Sequence, residues 1–445
     1  MPIENAAQRS VKQNGQKCKD SKEWPSSRAI LRQAFGHARA NRRDVFLSLP
    51  VIFLLFVLTA FFAPCALAQE SAAGSDLDHF LQQLWPRARD AGVAREIFDS
   101  AVAGLTPEPG LLRRPQAQAE FTISIPSYVS GAVSAARVAR GRALASELSA
   151  PLATIEERSG VPSEIALAIL GVESNFGSAT GAADTLRVLA TLAYAGHRGT
   201  IFSDELVAAL VMLQRGDVTR ARLRGSWAGA MGQPQFLPSA YLKYATAYSG
   251  DAAPDIWTNR LDSLASVANF LKFSGWDPRL PWAVEVVLPK NFDYADFDLD
   301  FAQWRALGLA RADGEALPAS GPASLYLPAG AAGAAGPAFL ITDNFEVIRK
   351  YNTSDAYALS IGLLADRIAG RRAPIAPWPK KIAALSTADC KELQRLLTTR
   401  GFYRGAIDGK LGRTSRNAVH AFQLSEGVQP ADGFATKEVL ERLRR

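Results

Sequence analysis

From about residue 77 to residue 368, apolar side chains recur at spacings of three and four, and the runs end on Gly or Asn. That is the pattern of helices packing one face into a core. The spacing predicts helices over 133–148, 163–174, 204–214, 262–273 and 355–369. Period-two alternation is rare. The stretch 282–288 (WAVEVVL), rich in β-branched residues, is the clearest strand candidate, and the Gly/Ala stretch 330–336 reads as a surface loop. A mainly α fold with at most a small β annexe is expected. At 371–379 the sequence RRAPIAPWP sets three prolines and a tryptophan after a helix end, so a semi-rigid linker is expected over 371–385. The remaining segment, 386–445, has three apolar faces (Leu393, Leu396, Leu397; Ala418, Val419, Phe422; Val439, Leu440, Leu443) separated by glycines, a small three-helix unit.

The N-terminus has a different pattern. Residues 45–63 contain no charge and follow a segment, 1–43, with ten Lys or Arg against three Asp or Glu. With the small-x-small site Ala66-Leu67-Ala68, residues 1–68 read as an export signal with its apolar region at 45–63. Nineteen uncharged residues also suffice for a bilayer span, which takes about 20, so an uncleaved membrane anchor stays open as the alternative. Arg42-Arg43 leaves the general and the twin-arginine export routes both open.

Charge then changes the picture. A net +7 and a pI near 9.3 would point to polyanions, but 1–68 alone carries +6, 69–379 carries −5 and 380–445 carries +6. No nucleic-acid partner is expected. Beyond residue 68 only Cys390 remains, so no intrachain disulfide is expected there. The 48% hydrophobic and 21% charged content excludes a disordered chain or a polytopic membrane protein.

In the C-terminal unit Gly401-Phe402-Tyr403, Asp408-Gly409, Gly412-x-Thr414, Ala418 and Phe422-Gln423 resemble, in order and spacing, the peptidoglycan-binding type 1 domain of cell-wall hydrolases. Taken singly, these residues read as turn and cap chemistry.

One carboxylate stands apart. In SEIALAILGVESNFG, 163–177, an apolar helix ends on Glu173 and is closed by Gly177, a residue suited to a C-cap. A helix C-terminus disfavours negative charge, and no Lys or Arg occurs from 165 to 186, so a raised Glu173 pKa suited to a general acid is expected. From this physics alone a solvated helix-end Glu is the favoured reading. Glu173-Ser174-Asn175-Phe176-Gly177 resembles the catalytic helix end of lytic transglycosylases. The run GSWAGAMGQPQFLPS at 225–239, Ser266-Val267-Ala268-Asn269-Phe270 and Tyr351-Asn352-x-Ser354-x-x-Tyr357-Ala358 are similar to the membrane-bound lytic murein transglycosylase B family, over nearly all of 75–370.

The resemblance implies a lysozyme-like catalytic domain with additional helices over 75–370, a wall-binding domain at 386–445, and non-hydrolytic cleavage of the β-1,4 bond between N-acetylmuramic acid and N-acetylglucosamine. Glu173 would serve as acid and then as base. Ser226 and Gln235 would contact substrate, Tyr351, Asn352 and Tyr357 would form the third wall of the cleft, and Tyr128 would supply an upstream aromatic. Peptidoglycan is the implied partner, the implied location is the periplasm, and a monomer without cofactor is expected. Asp184, the one acid just downstream, reads better as a helix cap than as a second catalytic carboxylate. Phe270 stands where the family often has Tyr. Some members carry an EF-hand-like calcium loop; here its first and sixth positions, Ala247 and Ala252, are both Ala, so no metal is expected. The rivals are a hydrolytic muramidase on the same scaffold and a non-catalytic peptidoglycan-binding scaffold protein.

Overall fold

The structure, a computed structural model, describes residues 65–112, 124–250, 252–290, 292–329, 334–380, 385–409 and 411–445. The apolar segment 45–63 lies outside the described residues. Among the described ones, no helix is long and apolar enough to cross a membrane.

Most of the chain is helical, and the helices gather round two cores. In the first lobe the helices Cys65–Asp90 and Arg95–Val102 pack with Thr185–Tyr194 and Ile201–Arg215 around Leu81, Phe98, Leu189 and Leu206. In the second, Ser163–Ser174 lies against Asp355–Ile368, with Ile125–Ala132, Ala135–Glu147, Ser149–Ser159 and Arg260–Phe273 around them. Residues 165–170 are all buried, which explains an apolar text without a polar face. Phe270 and Tyr351 pack against both cores and mark the seam between the lobes.

Helix ends follow cap chemistry. Ser134, Asn259 and Ser354 each accept a backbone N–H from the first turn that follows, and Gly160, at φ 72°, closes Ser149–Ser159. The expected helix 204–214 begins earlier, at Ile201, because Phe202 buries its ring and extends the apolar face.

The β content is larger than a small annexe built from one run. A two-residue pair, β1 (Ala183–Asp184) and β2 (Arg224–Gly225), ties loops of the first lobe together. A five-stranded antiparallel sheet runs in the order β4 (Asp298–Asp300), β6 (Pro322–Tyr326), β7 (Ala338–Ile341), β3 (Ala283–Val287), β5 (Ala310–Arg311). β3 and β6 are both five residues long with alternating burial, but only β3 carries the β-branched residues that mark a strand in the sequence. The two- and three-residue strands hold through their neighbours and through Trp304, whose buried indole donates to the Ala323 carbonyl at 2.9 Å.

The segment expected as a linker is tied down over residues 371–379. The Arg371 Nε donates to Asp366 at 2.8 Å, the Glu285 carboxylate accepts the N–H groups of Ile375 and Ala376, and Trp378 packs on the second core. The C-terminal unit, helices Thr387–Thr399, Arg413–Ser425 and Lys437–Arg444, rests on the sheet. The Arg416 guanidinium lies between Phe297 (4.5 Å) and its own Phe434 (5.0 Å), and Asp432 accepts the Ala334 N–H at 2.8 Å. The described part of the stretch expected as a loop at 330–336 is therefore a docking contact; 330–333 lie outside the described residues.

Candidate active site

Glu173 sits in the last turn of Ser163–Ser174, half-buried, where the helix stops abruptly. The cap differs from expectation. Asn175 (φ 49°) and Phe176 (φ 58°) take the left-handed conformation ahead of Gly177 (φ 85°), and the Phe176 N–H reaches back to the Leu170 carbonyl at 3.0 Å. Left-handed backbone costs a bulky residue about 1–2 kcal/mol, while burying a phenylalanine side chain returns about 1.5–3 kcal/mol. Phe176 is fully buried, its ring lying where a Cβ on Gly171 would come within 2.6 Å. Burial wins, and Gly171 is what makes room for it. Ser174 secures the turn from beneath, its hydroxyl accepting the Gly177 N–H at 3.0 Å.

The carboxylate is held from the opposite helix. Tyr357, fully buried in the first turn of Asp355–Ile368, donates its hydroxyl to Glu173 Oε1 at 2.6 Å. Burial, reinforced by the Glu173 charge, raises the Tyr357 and Tyr351 hydroxyls well above the usual tyrosine range, so both remain protonated donors. Tyr351 donates to the Pro234 carbonyl at 2.6 Å and so fixes the 225–239 loop of the first lobe to the second. Tyr128, half-buried on Ile125–Ala132, adds to the field at Tyr357. Asn352 ends Asp343–Tyr351, its side-chain oxygen accepting the Ser354 N–H at 3.1 Å.

The loop itself is a compact set of turns. The Ser226 hydroxyl accepts the N–H groups of Ala228 and Ala230, and its own hydrogen has no acceptor among the described residues. Gln235, at φ 55°, donates Nε2 to the Thr180 and Gly232 carbonyls at 3.0 and 2.8 Å; its Oε1 has no partner among the described residues. The Thr180 bond joins this loop to the segment leaving the Glu173 helix. So does Gly181, where a Cβ would meet the Gly225 carbonyl at 2.3 Å.

The expected site residues thus fall on the two lobes and their seam: Glu173, Tyr128 and Tyr357 on the second lobe, Ser226 and Gln235 on the first, Tyr351 and Asn352 at the junction. Phe270 meets Tyr351 and Tyr244 edge-on, with ring centroids 4.8 and 4.7 Å apart, and brings no hydroxyl to the seam. Gln233 went unnoticed in the sequence. Its buried Oε1 has no partner and lies 2.5 Å from where a Gly177 Cβ would be, so Gly177 is required by a neighbour as well as by its φ. The glycine was the one legible trace of it.

Asp184 is engaged elsewhere. It caps Thr185–Tyr194, accepting the Arg187 N–H, and pairs with Arg220 at 2.7 Å; although burial opposes this, those bonds hold its pKa below the usual carboxylate range. Asp255, in the stretch aligned with the calcium loop, is likewise held by Arg222 and Thr258. No group of three His, Cys, Asp or Glu among the described residues could hold a metal.

A half-buried glutamate at a helix end, braced by a tyrosine at the seam of a two-lobed helical fold, defines an enzyme of the lysozyme-like, glycan-cleaving class. Residues 76–366 match the family described as transglycosylase SLT domain, and 386–443 match a putative peptidoglycan binding domain. The chain belongs to the transglycosylase SLT family. Membrane-bound lytic murein transglycosylase B of Escherichia coli (strain K12) is 42% identical over 118 residues, 26% of this chain; the match spans about a third (32%) of that relative's length. SltB3 from Pseudomonas aeruginosa, solved in complex with NAG-anhNAM-pentapeptide and with NAG-NAM-pentapeptide, shares 41% identity over 83% of this chain and 99% of its own, with a TM-score of 0.74. The lytic transglycosylase Slt35 of Escherichia coli, solved in complex with calcium, shares 26% identity over 66% of this chain and 92% of its own, at a TM-score of 0.54.

Proposed function

We propose that the protein is an exported lytic transglycosylase that cleaves the MurNAc-β-1,4-GlcNAc bond of peptidoglycan and leaves a 1,6-anhydroMurNAc end. The observation that carries this reading is the Tyr357–Glu173 hydrogen bond at the lobe seam, in a chain similar over 83% of its length to an enzyme solved with an anhydro-sugar ligand.

Glu173 gives its proton to the leaving GlcNAc oxygen as the C1–O bond breaks. The resulting carboxylate then takes the proton of the muramoyl C6 hydroxyl while O6 closes on C1, so the acid is regenerated without water. Oε1 can accept the Tyr357 hydroxyl both as a carboxylate oxygen and as the carbonyl oxygen of the acid, which leaves the other oxygen to give and take the proton, so Tyr357 keeps Glu173 oriented through both halves. The unused Ser226 hydroxyl hydrogen and Gln235 Oε1 are one donor and one acceptor matched to an N-acetyl amide. Tyr128, Tyr351 and Asn352 line the cleft with Tyr357. Residues 1–68 act as the export signal to the periplasm, 75–370 as the catalytic domain, 371–385 as the connector, and 386–445 as the wall-binding domain.

Mass spectrometry of muropeptides released from sacculi decides the chemistry: 1,6-anhydro ends are expected, and reducing ends throughout would assign a muramidase. Glu173→Gln is expected to lower release by at least about 10³-fold, within the range of a lost acid–base group, while co-sedimentation with sacculi persists.

A further inference from the structure

Gly141 lies near the middle of Ala135–Glu147 and Gly171 near the end of Ser163–Ser174, and both are buried. Glycine inside a helix is destabilising relative to alanine, so two such positions call for a steric reason. They share one. A Cβ on Gly171 would stand 2.6 Å from Phe176 Cζ, and a Cβ on Gly141 would stand 3.3 Å from the same atom and 2.5 Å from Ile368 Cδ1. The guanidinium of Arg140, an exposed residue, lies over the ring at 5.8 Å from its centroid. The tip of the Phe176 ring is therefore hemmed in by the backbones of two helices. Its other end belongs to the turn that presents Glu173, where the Phe176 N–H bonds to the Leu170 carbonyl and the Gly177 N–H to the Ser174 hydroxyl. Ile368, the second neighbour of Gly141, is the last residue of the helix that carries Tyr357 in its first turn. Both partners of the Glu173–Tyr357 hydrogen bond thus lean, through their own helices, on one glycine of a third.

We propose that Gly141 is a positioning residue for the reaction: it sets where the Phe176 ring rests and thereby where Glu173 meets Tyr357. The proposal rests on the reading of Glu173 as the acid. A carbon at 3.3 Å is closer than ordinary van der Waals contact, so a methyl at position 141 displaces the ring by a few tenths of an ångström. A close-packed interior passes such a shift on instead of absorbing it. Misplacing a reacting group by about 1 Å costs roughly 10²-fold in rate, so a few tenths should cost about three- to tenfold. The loss falls on kcat more than on KM, since Ser226 and Gln235 stand on the other lobe.

Gly141→Ala alone also collides with Ile368, so the test is made in the full chain carrying Ile368→Ala, which removes both atoms in the way, Cδ1 at 2.5 Å and Cγ1 at 2.6 Å. Adding Gly141→Ala to that background is expected to lower kcat on soluble glycan about three- to tenfold and to leave KM within about twofold. The alkaline limb of the pH–rate profile should move up, because a weakened Tyr357 bond stabilises the carboxylate less. Loss of packing alone does not move that limb. In a second background that adds Phe176→Leu, a side chain without Cζ, the same Gly141→Ala step should change kcat by less than about twofold. Melting curves set a temperature at which every variant is folded. Equal losses in the two backgrounds, or an unchanged kcat and pH profile in the first, overturn the proposal. If Glu173→Gln is inactive and the cycle shows no coupling, only the assignment of Gly141 has failed; if Glu173→Gln cleaves glycan as the parent does, the reading of Glu173 falls and takes this one with it.

Discussion

The C-terminal unit and the 225–239 loop use the same kinds of residue in opposite ways. In the C-terminal unit Gln394 and Gln423 each sit one helix before an Asp-Gly turn. Each donates Nε2 to the Asp (Asp408 at 3.3 Å, Asp432 at 3.0 Å) and accepts the glycine N–H (Gly409 at 2.8 Å, Gly433 at 2.7 Å). Both ends of both amides are used, and both residues are buried. In the loop, Gln233 Oε1, Gln235 Oε1 and the Ser226 hydroxyl hydrogen lack partners among the described residues. A buried polar group left unpaired costs about 1–3 kcal/mol, so a fold tolerates such groups where another molecule or a water completes them. Unpaired buried atoms also occur elsewhere, at Tyr326 and Ser360 for example, so the loop is set apart by gathering three unused groups within ten residues rather than by having one.

That contrast can be broken at four points. Tyr357→Phe keeps the ring and removes the donor to Glu173; kcat should fall about 10- to 100-fold with little change in KM. Losing a hydrogen bond to the carboxylate raises the acid's pKa, so the alkaline limb of the pH–rate profile should move up, a shift that mere loss of packing would not produce. Gly177→Ala sets a Cβ at φ 85° against Gln233, and thermal unfolding should report a loss of about 2–4 kcal/mol. Gln394→Leu leaves the Gly409 N–H buried without its acceptor. It should cost the C-terminal unit about 1–3 kcal/mol and weaken sacculus co-sedimentation, with no effect on cleavage of soluble glycan.

The smallest effect belongs to Asp184. Asp184→Asn keeps an acceptor for the cap but loses the Arg220 pair, so a loss of at most about 1 kcal/mol is expected near neutral pH. Because the Asp184 pKa is lowered in the fold, its contribution is present above the unfolded-state value and disappears as pH falls through the folded one. Wild-type and variant melting curves should therefore converge in acid.

Legibility in the sequence follows the same division. Long helices were legible because the 3.6-residue period survives wherever one face is buried; 163–174 and 355–369 agree with Ser163–Ser174 and Asp355–Ile368 to within a residue. In the sheet β3 alone was read from the sequence: β4 and β5, of three and two residues, carry no period, and β6, as long as β3, begins on Pro and has none of the β-branched residues that marked β3. Glu173 was legible through a motif. The turn that presents it was not, because Phe176 adopts its left-handed backbone for the sake of a contact with Gly171, earlier on the same helix. The three prolines at 371–379 promised stiffness, but nothing local shows that Glu285, some ninety residues earlier, takes two of that segment's N–H groups.

The pinned connector alters how the C-terminal unit can move. Between Pro379, which meets Gly336, and Ser386, the cap of the first C-terminal helix, only six residues intervene. Such a chain reaches about 20–25 Å at full stretch. A unit that lets go of the sheet stays within that radius and sees its docking surface at millimolar effective concentration. Contacts as modest as one guanidinium between two rings and one carboxylate on a backbone N–H then suffice for frequent recapture, and wall polymer competing for the unit has to outbid a neighbour that never diffuses away.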